Sequence, residues 1–244
     1  MIYDDKMYTF DARIRFSECD KDRILTYESL IDYFQDCSMF HAEDVGFGFD
    51  YMKPINTAWI VNSWQIVFNE LPVFKEKVTV GTIAHSIKGF LGQRNYFMQN
   101  ESKVFAYANS VWSYMDMNRM VPVKVSQEMK DAYGIGSPIE MDYAGRKIAI
   151  PDISPENVMP EIIIGEENLD TNGHVNNAQY IRMALKALKK GLGIKQLRVE
   201  YNKQAYLGDI IIPNIYSLDD DRKIVCLISP ENEKYCAVEI TGGF

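Results

Sequence analysis

The sequence is organised around one stretch, Leu169-Asp-Thr-Asn-Gly-His-Val-Asn-Asn-Ala-Gln-Tyr180. It brings a carboxylate, an imidazole and several carboxamides onto one short loop. An apolar, helix-forming run, 178–190, follows at once, and Asn176 or Asn177 is the expected N-cap of that helix. Gly173 can adopt the positive φ that such a turn requires. Loop residues held by a rigid element often carry catalysis, so we expect the functional site here.

The composition is typical of a globular protein and excludes several functional classes. Of 244 residues, 47% are hydrophobic and 25% are charged. The net charge of −8 argues against a nucleic-acid surface that extends along the whole chain. No run of about 18 apolar residues occurs, and the N-terminus lacks the pattern of a signal peptide. We therefore expect a cytoplasmic protein.

Cysteine and histidine usage predicts neither a disulfide framework nor a metal site. The four cysteines form no CxxC pair, and a chain of this length does not need disulfides for stability, so we expect reduced thiols. The three histidines lie far apart, without the spacing of zinc ligands. No metal and no other cofactor is predicted.

The order of predicted elements occurs twice along the chain. Residues 1–120 are predicted to form a strand, a helix at 28–39 and four further strands. Residues 121–160 are rich in proline and glycine and are predicted to be a linker with one short helix at 126–133. Residues 161–244 repeat the order, with the polar loop placed before the helix. Each half therefore combines one helix with one antiparallel sheet, and we predict the α+β class.

Individual residues also correspond between the halves. Asp20 and Asp170 stand 150 positions apart, and on the same offset Ile24 corresponds to His174. The first copy thus keeps the apolar pattern but lacks the histidine. Duplication followed by the loss of one site explains this pattern, and chance similarity is the alternative. We expect a degenerate site in the first half and the functional site in the second.

Residues Asp170 to Tyr180 resemble the D-x-N-x-H-V-N-N-x-x-Y signature of acyl-ACP thioesterases. The segment 58–66 (AWIVNSWQI) is similar to the long second strand of that family, and 111–118 (VWSYMDMN) to the strand near the end of its first half. The resemblance covers about residues 8 to 240. It implies two tandem hot-dog repeats, each an antiparallel sheet wrapped round a central helix. It also implies hydrolysis of fatty acyl thioesters carried on acyl carrier protein.

The resemblance places Asp170, Asn172 and His174 at catalytic positions of the family. At the position of the family's catalytic glutamate this chain has Gln204, and where the family has a cysteine it has Ala205. A thiol nucleophile is therefore not expected. An amide does not titrate, so Gln204 is expected to position a water rather than to accept its proton.

Thioester hydrolysis needs a positioned water, a proton acceptor and stabilisation of the oxyanion. His174 is expected to be the base or to orient the water, because an imidazole titrates near neutral pH. Asn172 is expected to donate to the carbonyl oxygen, and Asp170 to fix the loop or the ring. Glu200 is a reserve base if the strand register differs by a few residues. The structural alternatives are a core histidine, a turn-closing aspartate and a solvated Gln204.

An acyl chain requires an apolar channel, since each buried CH₂ contributes about 0.8 kcal/mol. We assign this substrate-binding role to aromatic residues of the first half, with ordinary core packing as the alternative. They are Tyr33, Phe34, Trp59 and Trp64.

Acyl carrier protein, the implied partner, is acidic and would need a basic docking surface. The candidate is a group of basic residues on and after the second helix, and a solvated helix face is the alternative. They are Arg182, Lys186, Lys189, Lys190, Lys195 and Arg198. An acyl-CoA thioesterase and a non-catalytic acyl-thioester-binding protein remain open as functions, and a homodimer as an assembly.

Overall fold

The computed structural model describes residues 6–170, 173–188 and 193–243. It divides into two compact units. The first consists of Met1–Val61 and Ile66–Tyr143, and the second of Asn62–Gln65 and Ala144–Phe244. The residues predicted to be a linker are shared between the units, with 121–143 in the first and 144–160 in the second.

The first unit is an antiparallel sheet with a long helix packed against it. Its strands are β1 (Tyr8–Arg13), β2 (Thr57–Phe68), β3 (Lys77–Lys88), β4 (Leu91–Gln99), β5 (Val104–Asp116) and the short β6 (Val121–Pro122). Its helices are α1 (Tyr27–Asp44), α2 (Phe49–Met52) and α3 (Gln127–Tyr133). The strand order is β1-β3-β4-β5-β2, and β6 pairs with β5. Helix α1 packs against β3 and β1.

Helix α1 begins where the sequence predicts and ends later. The hydroxyl of Thr26 accepts the amide of Ser29 at 3.2 Å and caps the first turn. The apolar pattern predicts an end near Met39, but the helix continues to Asp44. Its last turns look polar in sequence, yet His41 is buried there. Ala42 beside it is buried as well, so the buried face of the helix continues through these last turns.

A buried cation explains the position of His41. The Nη2 group of Arg94 donates to Nδ1 of His41 at 2.8 Å, and the guanidinium lies over the ring of Tyr133, 5.0 Å from its centroid. Both His41 and Arg94 are less than one-tenth exposed. Burial and the charge of Arg94 lower the pKa of His41 to about 3. The imidazole is therefore neutral and can accept the hydrogen bond.

This pair predicts that acid destabilises the protein. Between about pH 6.5 and pH 3 the unfolded chain protonates His41 and the folded chain does not. Stability therefore falls as the pH falls, by an amount on the order of 5 kcal/mol over that interval. The measurement is urea unfolding of the wild type and of His41→Gln from pH 8 to pH 4. The variant keeps an acceptor for Arg94 and should show a flatter decline, whereas identical slopes would refute the assignment.

The second unit has the same design. Its strands are β7 (Asn157–Val158), β8 (Ile162–Ile163), β9 (Gly193–Tyr201), β10 (Ile210–Asp219), β11 (Arg222–Ile228) and β12 (Lys234–Gly243), and its helix is α4 (Asn177–Ala187). The strand order is β9-β12-β11-β10-β7, and β8 also pairs with β10. Helix α4 packs against β10, β11 and β12. The predicted α+β class is confirmed.

The loops before α1 and α4 repeat each other bond for bond on the predicted offset of 150. The amide of Asp20 donates to the carbonyl of Ile24 at 2.8 Å, and the amide of Asp170 donates to that of His174 at 2.8 Å. In return, each aspartate Oδ1 accepts the amide of its partner, at 3.0 Å and 3.3 Å. Chance similarity does not account for this agreement, and the predicted repeat is confirmed.

The strand ends that support these loops also correspond, with an offset of 133 between Asn69 and Asn202. Asn69 donates its amide to the carbonyl of Phe105 at 2.8 Å, and Asn202 donates to that of Tyr235 at 2.9 Å. The next few residues of each segment meet the loop before the helix. The same backbone frame is thus built twice, and the side chains placed on it decide which copy can act.

Candidate active site

The loop that carries His174 is closed by its own backbone and by Asp170. Leu169 and Val175 form an isolated bridge, and Gly173 holds a φ of +76° between them. The amide of Gly173 donates to the carbonyl of Asp170 at 3.0 Å. Asn176 caps the helix behind the loop, because its Oδ1 accepts the amide of Ala178 at 2.8 Å. The turn is thereby fixed at both ends.

His174 is half-buried on this loop. Its ring meets the edge of Tyr206 at 5.1 Å between centroids, with 78° between the planes. Tyr206 is itself 48% exposed. The imidazole is therefore accessible from solvent, unlike a histidine sealed in the core. An accessible imidazole can exchange protons with a water.

Asp170 closes the turn, because its Oδ1 accepts the amide of His174 at 3.3 Å. Its counterpart Asp20 accepts the amides of Asp22 and Ile24 at 2.9 Å and 3.0 Å. Turn closure is therefore common to both copies. A catalytic role of Asp170 would be an addition to this shared structural role and stays a prediction.

Gln204 lies on the segment that is held beside the loop. The amide of Val175 donates to the carbonyl of Ala205 at 3.0 Å, and the amide of Ala205 donates to the hydroxyl oxygen of Tyr180 at 2.8 Å. Gln204 is half-buried. The structure thus brings the segment of Gln204 and the loop of His174 together. Asn172, the predicted donor to the carbonyl oxygen, lies outside the described residues.

Tyr180 and Tyr206 are site residues that the sequence reasoning missed. Tyr180 is the last residue of the loop signature, which was a signal for a supporting role. Tyr206 could have been found from the repeat. Its counterpart Val73 forms an isolated bridge with Ile24, just as Tyr206 contacts His174.

The hydrogen bond of Tyr180 predicts a measurable support for the site. Tyr180→Phe leaves the buried amide of Ala205 without its acceptor, which should cost about 1–3 kcal/mol of stability. Turnover should fall as well, because the segment next to His174 loses an anchor. Denaturant unfolding and steady-state kinetics measure the two effects. Tyr216→Phe is the control in the same unit, and equal stability of the two variants would count against the role.

Glu200 is not a reserve base, and that expectation is wrong. Its Oε2 accepts the amide of Ile148 at 3.0 Å and the ammonium of Lys234 at 3.3 Å, and Oε1 accepts Asn202 at 3.2 Å. Burial alone would raise the pKa of Glu200, but these partners hold it below its ordinary value. The carboxylate is fully engaged in holding the segment around residue 148 to the sheet.

No thiol replaces the absent nucleophile at Ala205. Cys19, in the first unit, is half-buried, and burial together with the charges of Glu18 and Asp20 raises its thiol pKa. A raised pKa disfavours the thiolate, the reactive form. Within the described ranges, no group of three or more His, Cys, Asp and Glu side chains could hold a metal ion.

The four predicted substrate-binding aromatics occupy packed positions. Tyr33 donates its hydroxyl to Glu18 at 2.8 Å, and Phe34 is fully buried against Tyr96. Trp59 packs at 5.2 Å from Tyr114, whereas Trp64 is buried on the segment 62–65 that groups with the second unit. Their contact with an acyl chain stays a prediction.

Arg198 does not belong to the predicted basic docking surface, because its guanidinium is engaged in internal contacts. Arg198 donates to Glu239 at 2.8 Å and to the carbonyls of Gly145 and Lys147 at 2.7 Å and 3.0 Å. It is committed to internal contacts and is not available to a partner. Lys186 is exposed on α4, and Arg182 is half-buried. Lys189 and Lys190 lie outside the described residues. In the part of the chain that the structure describes, no helix is both long and apolar enough to span a membrane.

A helix-on-sheet unit occurs twice, and one copy bears an accessible imidazole on a loop that a carboxylate closes. These features define a tandem hot-dog protein. The family described as "Acyl-ACP thioesterase N-terminal domain" matches residues 5–133, and "Acyl-ACP thioesterase C-terminal domain" matches residues 158–240. The chain belongs to the acyl-ACP thioesterase family.

Named relatives agree with this assignment. The chloroplastic palmitoyl-acyl carrier protein thioesterase of Gossypium hirsutum is 24% identical over 237 residues, which cover 90% of this chain and 57% of that protein. The chloroplastic oleoyl-acyl carrier protein thioesterase 1 of Arabidopsis thaliana is 23% identical, covering 81% and 60%. The chain thus spans little more than half the length of these two relatives.

A solved structure shows the same fold. The crystal structure of an acyl-ACP thioesterase from Bacteroides thetaiotaomicron superposes with a TM-score of 0.87 at 22% sequence identity and covers 97% of each chain. The predicted tandem hot-dog fold is confirmed.

Proposed function

We propose that this protein hydrolyses fatty acyl thioesters of acyl carrier protein and releases the free fatty acid. The observation that carries the proposal is the half-exposed imidazole of His174 on a loop whose counterpart presents Ile24 instead. The same backbone frame thus holds a titratable group in one unit and an apolar one in the other. Membership of the acyl-ACP thioesterase family supports the choice of substrate.

The proposed reaction is direct attack by water. His174 accepts a proton as the water oxygen bonds to the thioester carbon, and Asn172 donates to the developing oxyanion. The C–S bond then breaks, and the imidazolium returns the proton to the leaving thiolate. Gln204 hydrogen-bonds the attacking water, and Asp170 keeps the loop in place. Because Ala205 offers no nucleophile, no acyl-enzyme forms.

The remaining assignments follow the predicted division of the chain. We assign the acyl chain to the first repeat, 1–120, where Tyr33, Phe34 and Trp59 line its path together with Trp64. Residues 121–160 connect this repeat to the catalytic repeat, 161–244. Acyl carrier protein is the proposed partner. The cytoplasm is the proposed compartment, because the four cysteines show no pairing pattern in the sequence.

A competition assay tests the substrate class. The protein is incubated with equal concentrations of dodecanoyl-, hexadecanoyl- and octadecenoyl-ACP and the matching acyl-CoA thioesters, and the released acids and free carriers are quantified. We expect the ACP thioesters to be hydrolysed with the larger kcat/KM. Preferential hydrolysis of the CoA thioesters would replace the proposal with an acyl-CoA thioesterase. Binding without hydrolysis of either set would indicate a non-catalytic acyl-thioester-binding protein.

A further inference from the structure

A groove of about 680 Å³ lies in the first unit, beside β1 and the turn that precedes β3. It takes no part in the proposed reaction, since His174 and Gln204 belong to the second unit. Its volume falls in the range of small-molecule sites, roughly 300–1,000 Å³. The groove therefore offers room for a ligand of the size of a medium- or long-chain lipid.

Aromatic rings form its apolar wall. Phe10 and Phe40 meet edge to face at 5.3 Å between centroids, and Phe74 contributes a third ring. Phe40 is 46% exposed, an unusual position for a phenylalanine on a helix packed against a sheet. Next to the groove, Phe16 contacts Phe74 at 5.9 Å and is 76% exposed. Apolar surface is thus left open where a ligand could cover it.

Cations line the same groove. Arg13 donates from Nε to the carbonyl of Lys75 at 3.2 Å, and its Nη groups make no hydrogen bond to any residue that the structure describes. The ammonium of Lys75 lies 5.5 Å from the ring centroid of Phe74. Among the described residues, neither cation has a carboxylate within ion-pair distance. Arg15 approaches Glu18 only at 3.6 Å. The one acid in the lining, Asp11, accepts the hydroxyl of Thr79 at 2.8 Å.

The chain has a net charge of −8, and Arg13 and Lys75 have no carboxylate partner among the described residues, so the groove favours an anionic ligand. The backbone conformation of Lys75 also distinguishes the groove from the corresponding segment of the second unit. Lys75 holds a φ of +75°, and its counterpart on the offset of 133 is Gly208, with a φ of +84°. A residue other than glycine in this conformation costs about 1–2 kcal/mol. The first unit thus bears a lysine where the second has the residue that fits without strain.

The repeat also relates the groove to the catalytic site. Phe74 corresponds to Leu207, the residue after Tyr206, whose ring contacts His174. Ile14 corresponds to Ile164. The amide of Ile14 donates to the backbone carbonyl of Glu76 at 3.0 Å, and the amide of Ile164 donates to the backbone carbonyl of Asp209 at 2.9 Å. The groove therefore corresponds to the surface beside the catalytic loop of the second unit. The first unit has the cations Arg13 and Lys75 here, and its loop has Ile24 in place of His174.

We infer that this groove is a second binding site, for the carboxylate form of a free fatty acid. The aromatic wall receives the alkyl chain, and Arg13 and Lys75 hold the carboxylate. Binding here involves no chemical step and does not require the proposed hydrolysis, so the two proposals can fail separately.

The test uses dodecanoate that carries a diazirine near its methyl end, below its micelle concentration. After irradiation of the full-length protein, we expect labelled peptides that contain Phe40 or Phe74. The double variant Arg13→Gln/Lys75→Gln should lose at least nine-tenths of this labelling and bind dodecanoate at least tenfold more weakly in calorimetry. Its kcat on acyl-ACP should stay within about twofold of the wild type. Lys88→Gln/Arg119→Gln removes two exposed cations elsewhere in the unit and should change nothing.

Three outcomes would overturn the inference. The first is labelling confined to peptides of the second unit. The second is equal affinity of the wild type for dodecanoate and for neutral dodecanol, since the cations would then have no function. The third is loss of carrier-protein binding in the double variant with dodecanoate binding intact, which would make the groove a protein-docking surface instead.

Discussion

Replacing His174 with alanine should lower kcat for acyl-ACP hydrolysis by about 10²–10⁴-fold, the usual effect of removing a general base. The ring is only half-buried, on a loop at the edge of Tyr206, so its loss should leave the fold intact. Steady-state kinetics with dodecanoyl-ACP gives the rate. Circular dichroism and the unfolding midpoint show whether the variant is folded.

His85→Gln is the matched control for this variant. His85 is half-buried in the first unit and bonds to Asn109 at 3.0 Å, a contact that glutamine can replace. Its turnover should stay within about twofold of the wild type. A His174→Ala protein that is folded and retains near-normal turnover would contradict the assignment of the base.

Asp170 and Asp20 allow the structural and catalytic roles of the loop to be separated. Each carboxylate accepts the amide four residues further along the chain, so Asp170→Ala and Asp20→Ala should each cost about 1–2 kcal/mol of stability. Only Asp170 lies on the loop that carries the imidazole of His174. We expect Asp170→Ala to lower kcat by about 10–100-fold, as for other groups that orient a functional ligand.

Urea titration first gives the folded fraction of each variant. Single-turnover hydrolysis is then measured under conditions in which both variants are folded to the same fraction. Asp20→Ala should retain kcat within about threefold. Equal losses of kcat in both variants would show that Asp170 acts only through the stability of the turn.

The sequence was sufficient for the repeat and the helix starts because short-range signals specify them. The caps at Thr26 and Asn176, and the positions of Asp20 and Asp170, are local features that survive in both copies. The end of α1 was not predictable in the same way. His41 looks like a surface residue in sequence, but it is buried by groups that are distant in the chain. Arg94 approaches it from β4, and Tyr8 of β1 stacks on its ring.

The site was predictable where one continuous segment supplies it and not where distant segments meet. Glu200 looks like a free carboxylate beside the catalytic segment, but its partners Ile148 and Lys234 come from elsewhere in the chain. Arg198 looks like an exposed cation, yet Glu239 pairs with it across the sheet. Tyr206 contacts His174 although 32 positions separate them in sequence. Such partners depend on strand pairing, which periodicity does not encode.

The central claim is that the imidazole of His174 takes the proton from the attacking water. The dependence of the single-turnover rate on pH, from pH 5 to pH 9, tests this most directly for the wild type and His174→Ala. The wild type should show an acidic limb in which the rate falls as the pH falls, because a general base acts only in its unprotonated form. The variant should lack that limb and rise steadily with hydroxide concentration. An unchanged limb in the variant would assign the base to another group.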